Sequence, residues 1–365
     1  MAKTATRSKD PEHPLPSIKD VVTRRVTHLN LCCPAFGVAD GYGNSAEQMA
    51  LALERNGLPL TLAGITRRAG HQNAAEIFER APIEGDAILF YSPPIAWMKQ
   101  HGDRPAFGFT MYESDRVPRS WIASLERVDE IWVPSSWNAE IFAECAPRPV
   151  HVVPLGVDAN AFGYARRARG EKFRVLAMAT YVQETRKGIE LAIRAFKAAF
   201  PDRDDVELIV HSTYPGDIAK NDVRIQRSTK QFTTAALADF YRTFDVLLYP
   251  SLGEGFGLIP LEAMATGMPA IFAAATGMRD YGDLGLTVGA RKVPATSGHD
   301  SGKDGTATPF GCWHEPHFDE LVDRLREVEA HYELAMDHAT RDSMTIADRW
   351  TWDATARAMI ARLNA

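Results

Sequence analysis

From residue 26 onward, short apolar or β-branched runs alternate with segments of helical periodicity. VTHLNLC (26–32) is followed by SAEQMALALERNG (45–57), where Ala46, Met49, Ala50 and Leu53 recur at helical spacing before a glycine stop. LTLAG (60–64), DAILFY (86–91), AFGFTM (106–111), EIWVP (130–134) and VHVVP (150–154) continue the series. Each strand–helix–strand unit lays a helix on the sheet. The alternation therefore predicts an α/β fold with a parallel, doubly wound sheet covered on both faces.

The pattern breaks once and then restarts. PLGVDANAFGYARRARGEKF (154–173) carries Pro, Gly and the basic cluster Arg166, Arg167, Arg169 and Lys172, and reads as a solvated interdomain linker. FRVLAMAT (173–180), KGIELAIRAFKAAF (187–200), VELIVHS (206–212), TAALADFYRTF (234–244) and DVLLYP (245–250) form a second series. A chain of 365 residues exceeds the usual single core, so two αβ halves are expected. IWVPSSWNAEIF and LLYPSLGEGFGLIPLEA both end an apolar strand on Pro-Ser before a helix, and both loops are expected to face one cleft. Residues 294–311 form a long polar stretch, a functional flap or an insertion. FDELVDRLREVEAHYELA (318–335) and WTWDATARAMIARLNA (350–365) read as helices.

Forty-one basic against 47 acidic residues leave a net charge of −6, which argues against a broad nucleic-acid-binding face. Cys32, Cys33, Cys145 and Cys312 lack the spacing of a zinc site, and reduced, buried thiols are the expectation. No apolar run has the length of a membrane span, and residues 1–24 read as a loosely ordered polar leader without a signal-peptide core. A cytoplasmic protein is expected.

GEGFGLIPLEAMATGMPAI (253–271) places two carboxylates, Glu254 and Glu262, eight positions apart in an otherwise apolar segment. Pro260 suits the first turn of a helix and Gly267 with Pro269 its stop, so a helix is expected near 259–266. The spaced Gly253, Gly255 and Gly257 let the N–H groups of Phe256, Gly257 and Leu258 approach an anion at the helix N-terminus, phosphate above all. A carboxylate beside a phosphate has to accept from neutral donors, and sugar hydroxyls fit. The residues alone leave a second account open, with Glu262 placed by the helix dipole and Glu254 merely solvated.

This stretch resembles the E-x7-E signature of retaining, nucleotide-sugar-dependent glycosyltransferases of the GT-B fold, the family-4 group. PSSWNAEIF, VPLGVD (153–158), RKG (186–188) and WTWDATAR follow the family's order, so the resemblance runs from residue 27 to the C-terminus. It implies an N-terminal Rossmann-like acceptor domain at 25–158, with the last helix (350–365) packing back on it. A linker at 159–172 and a C-terminal donor domain at 173–345 complete the plan. It implies that Glu254 contacts the transferred sugar, that Glu262 holds the ribose and that Lys187 neutralises the leaving diphosphate. The implied reaction is metal-independent hexosyl transfer with retention, by front-face attack, from a UDP-sugar and without a resident cofactor. The acceptor stays open among glycan, protein, small molecule and modified nucleic-acid base.

The chain also departs from the family's pattern. The arginine usually found before the lysine is here the adjacent Arg186, and two neighbouring side chains are expected to point apart, which leaves Arg186 in question as a phosphate ligand. Where relatives place a histidine near the sugar, the loop TMYESDRVP offers Tyr112, Glu113 and Asp115 as acceptor-side candidates, with Glu113 alternatively paired to Arg116. His211 is read as a satisfied, buried histidine. GYGNSA (41–46) matches a dinucleotide fingerprint, but it lies far past its strand and lacks the acidic residue expected about twenty positions on. Gly41, Tyr42 and Gly43 are therefore read as a cleft loop over the donor phosphates or the acceptor. A catalytically silent nucleotide-sugar binder and an NAD-dependent enzyme remain as alternatives.

Overall fold

The computed structural model describes residues 25–33, 41–63, 84–98, 102–179, 184–212, 222–296 and 311–365. The leader and most of the 294–311 stretch lie outside them. The first half holds β1 (Leu29–Cys32), α1 (Gly41–Arg55), β2 (Leu60–Ala63), β3 (Ala87–Tyr91) and β4 (Ala106–Phe109). It continues with α2 (Arg119–Leu125), β5 (Glu130–Val133), α3 (Ser136–Ala143) and β6 (Val150–Val152). These strands form a six-stranded sheet in the order β2-β1-β3-β4-β5-β6, parallel throughout.

The second half holds β7 (Phe173–Ala179), α4 (Glu184–Lys187), α5 (Ile189–Ala199), β8 (Val206–Ser212) and β9 (Ile225–Ser228). It continues with α6 (Thr234–Tyr241), β10 (Val246–Tyr249), α7 (Leu258–Ala265), β11 (Ala270–Ala273) and β12 (Leu286–Val288). Its sheet is also parallel, ordered β12-β11-β10-β7-β8-β9. Every residue of β3, β10 and β11 is buried, as strands covered on both faces must be. The doubly wound α/β expectation holds in both halves.

An antiparallel hairpin, β13 (Ala290–Pro294) and β14 (Cys312–Pro316), follows the second sheet. The chain then forms α8 (Phe318–Ala330), α9 (Tyr332–Arg349) and α10 (Trp352–Leu363). The single helix read over 318–335 breaks at His331, whose ψ of 46° leaves the helical region, and its second part runs on to Arg349. α9 stays with the second half, where Ser343 Oγ donates to Ala265 O at 2.6 Å. α10 returns to the first half: Asp353 accepts from Arg55 and Asn56 at 3.0 Å each, and Arg362 pairs with Glu130. The two crossings between halves lie side by side, with Val157 N donating to Trp350 O at 2.9 Å.

Arg166, Arg169 and Lys172 of the basic linker are exposed, as expected of a solvated segment, but Arg167 is not. Arg167 donates to Tyr241 O at 3.3 Å, Phe244 O at 3.0 Å, Thr266 O at 2.8 Å and Thr266 Oγ1 at 2.8 Å. The last carbonyls of a helix lack intrahelical partners, and one guanidinium serves the ends of both α6 and α7. Arg169 is likewise tied, by Glu329 at 2.5 Å. All four cysteines are free thiols, but only Cys33 is buried and the others are half-buried. Among the described residues no helix is long and apolar enough to cross a membrane.

Candidate functional site

The glycine-spaced loop joins β10 to α7 and lies against the first half. A Cβ on Gly253 would fall 2.2 Å from the Glu113 carbonyl oxygen, so only glycine lets the two loops touch. Ser135 Oγ donates to Gly255 O at 2.7 Å, and Asn138 Nδ2 reaches the same oxygen at 3.3 Å. The two Pro-Ser loops therefore meet directly. Gly257 caps α7 at φ 90°, a left-handed conformation that glycine adopts without strain. Among the described residues the N–H groups of Phe256, Gly257 and Leu258 meet no acceptor. They stand at the positive end of α7. Phe256 itself is buried against Tyr281 and Trp350.

Glu254 is the centre of a buried charge cluster. Its Oε1 accepts from Lys187 Nζ at 2.6 Å, Tyr249 OH at 2.7 Å and Ser251 Oγ at 2.6 Å. Its Oε2 lies 3.7 Å from Arg186 Nη1. Burial alone would raise this carboxyl; the charges of Lys187 and Arg186 and the bonds from Lys187 and Ser251 overcome it and bring it down to about 2. Burial draws Lys187 below the ordinary lysine range, with Glu254 pulling the other way.

Arg186 and Lys187 do not point apart. Neighbours on a helical turn leave the backbone in different directions, but both side chains are long enough to curl back onto one carboxylate, each taking its own oxygen. Arg186 also donates to Gly253 O.

Glu262 sits on α7, 7% exposed like Glu254, but its surroundings differ. The Tyr241 hydroxyl donates to Oε2 at 3.2 Å, and among the described residues no cation pairs with it. Burial raises its carboxyl to about 8, only partly opposed by the Tyr241 bond.

Of the acceptor-side candidates, Glu113 pairs with the cluster, with Oε1 3.8 Å from Arg186 Nη2; Arg186, not Arg116, is its ion-pair partner. The Tyr112 ring is packed into the core of the first half, edge-on to Trp121. Asp115 is committed to the hairpin, accepting from Cys312 N at 2.7 Å and lying 3.4 Å from Lys292 Nζ.

Gly41, Tyr42 and Gly43 are not a loop but the first turn of α1. The Tyr42 hydroxyl accepts from Met111 N at 3.1 Å and so joins this turn to the strand-end loop after β4. His211 lies 3.2 Å from Ser228 Oγ, its ring against Phe232 and Phe240.

Sequence reasoning missed Tyr249, Ser251, Tyr241 and Thr276, whose Oγ1 accepts from Glu254 N at 3.1 Å. One signal was present: a tyrosine ending an aliphatic strand places a hydroxyl that needs a partner where its neighbours have none.

A model of the family described as Family 4 Glycosyltransferase in conflict systems matches residues 135–359, well over half of the chain. The chain belongs to that family. Among curated relatives, the family-4 chain is 34% identical over 166 residues to a D-inositol 3-phosphate glycosyltransferase from Kribbella flavida, covering 39% of this chain and 38% of that protein. It spans well under two thirds of the first curated relatives it matches. Its fold matches sucrose-phosphate synthase from Thermosynechococcus elongatus with a TM-score of 0.66 at 16% identity, over 91% of this chain and 97% of that one. It also matches TarM from S. aureus, solved with fondaparinux, α-GlcNAc-glycerol and UDP, with a TM-score of 0.57 at 14% identity, over 76% and 55% of the two chains. At such identities the likeness is one of fold, and the fold is GT-B.

Proposed function

We propose that the chain transfers a hexose from a nucleoside-diphosphate sugar, a UDP-sugar, to an acceptor with retention of configuration. The observation that carries this reading is the buried Glu254–Lys187–Arg186 cluster beside the open N–H groups at the start of α7. Diphosphate charge grows as the glycosidic bond breaks, and Lys187, Arg186 and the N–H groups of Phe256, Gly257 and Leu258 are the donors to meet it. In this reading Glu254 accepts from the hydroxyls of the sugar and Glu262 from those of the ribose. The UDP bound to TarM fits a uridine nucleotide for the donor. The donor is a co-substrate, and no resident cofactor takes part.

Retention through a covalent intermediate would need one carboxyl as acid and a second as nucleophile. Glu254, held near 2 and bound to two cations, is a poor acid. Front-face attack suits the site better. The acceptor oxygen bonds to the anomeric carbon as the bond to phosphate opens, and its proton passes to the departing phosphate oxygen. In this reading Glu113, 3.8 Å from Arg186, is the carboxylate that faces the acceptor.

A thermal-shift titration with UDP, GDP and NAD on wild type and Glu262→Ala tests the reading. Ligand at a hundred times its dissociation constant stabilises by about 2.7 kcal/mol. UDP is expected to raise the wild-type melt and to lose most of that effect in the variant. A shift with NAD alone, or equal UDP shifts in both proteins, overturns the assignment.

A further inference from the structure

Glu254 is held unevenly. Three donors converge on Oε1, while among the described residues Oε2 has only Arg186, at 3.7 Å. Tyr249 does more than add one bond, because its hydroxyl also accepts from Lys187 Nζ at 2.9 Å. An ammonium only donates and an ionised carboxylate only accepts, so the single phenolic proton is directed to Glu254. The phenol ring is fixed: Tyr249 is the last residue of β10, in register with Phe272 of β11, and is 1% exposed. Ser251, two residues on, supplies the other neutral donor.

Resting on the donor-site reading above, we infer that Tyr249 is a positioning residue that, with Ser251, pins Glu254 by Oε1 so that Lys187 can pass to the donor diphosphate while Oε2 stays turned to the sugar. Without such an anchor the carboxylate would follow its cation. A buried carboxylate deserted by its lysine would also lose much of what keeps it ionised, and two neutral donors on the same oxygen offset that loss.

The test separates sugar from nucleotide. Dissociation constants for UDP and UDP-glucose, and for GDP and GDP-mannose, are measured by calorimetry from pH 4 to 8 on full-length wild type, Tyr249→Phe and Ser251→Ala. In the pair that wild type prefers, Tyr249→Phe is expected to leave the nucleotide constant within about twofold and to weaken the sugar nucleotide about tenfold. That split should persist across the pH range, because Glu254, held near 2 in wild type, stays ionised there. Ser251→Ala should split the two constants in the same direction by less, and serves if Tyr249→Phe does not fold. Variants with wild-type sugar-nucleotide affinity overturn the proposal, as does a wild type that binds sugar nucleotide no more tightly than nucleotide. A wild type that binds neither overturns the donor-site reading itself.

Discussion

Glu254 and Glu262 are eight residues apart, equally buried, and in opposite states. Glu254 faces two cations and two hydroxyls and is held near 2; Glu262 faces one tyrosine hydroxyl and rises to about 8. Burial pushes both carboxyls up, so the partners decide the outcome. One motif therefore presents a fixed anion where a sugar is proposed to sit and a neutral, proton-bearing group where a ribose is proposed to sit. The second can donate that proton and keeps a carboxyl oxygen that accepts, as it does from Tyr241.

The largest effect should come from removing the cation. Lys187→Ala leaves a buried carboxylate with Arg186 as its nearest charge, and should destabilise the protein by about 3 kcal/mol in urea unfolding at pH 7. A loss below about 1 kcal/mol would mean that Arg186 alone holds Glu254 charged. Comparable in size, and of opposite pH sense to each other, are the proton-linked terms of the two glutamates. Glu254 lies below the ordinary value of 4.5, so its contribution is present above that pH and is lost as pH falls toward 2. Glu262 lies above 4.5, so its contribution is present below that pH and is lost as pH climbs to about 8. Stability of Glu262→Gln should accordingly lack a decline of a few kcal/mol that wild type shows between those limits. Parallel slopes in the two proteins would remove Glu262 from the account. The smallest effect belongs to an exposed pair of the same chemistry. Arg55→Ala, which frees Asp353 at the surface, should change stability by less than about 1 kcal/mol.

Legibility in the sequence followed the range of the interactions. The alternation of apolar runs and helical segments is local, and both parallel sheets were readable from it. β9 (IQRS) and β12 (LTV) were not, because edge strands this short carry too little pattern. The β13–β14 hairpin also escaped notice, since its two strands flank the long polar stretch and pair only in space. Within the site, Glu254 and Glu262 stood out through spacing and charge, and Lys187 through the family resemblance. The convergence of Arg186 and Lys187 on one carboxylate did not, because it depends on how α4 meets the loop after β10. Arg167 shows the same limit: composition marks a basic linker, while the carbonyls it satisfies belong to two distant helices.

The most direct test is to titrate the glutamate side-chain carboxyls by carbon NMR in the free protein and with UDP, using Glu254→Gln and Glu262→Gln to assign the signals. One carboxyl is expected to titrate near 8 in the free protein and to move downward when UDP binds, while the other stays ionised to the acid limit of folding. Two ordinary titrations near 4.5, or a Glu262 signal indifferent to UDP, would contradict the account.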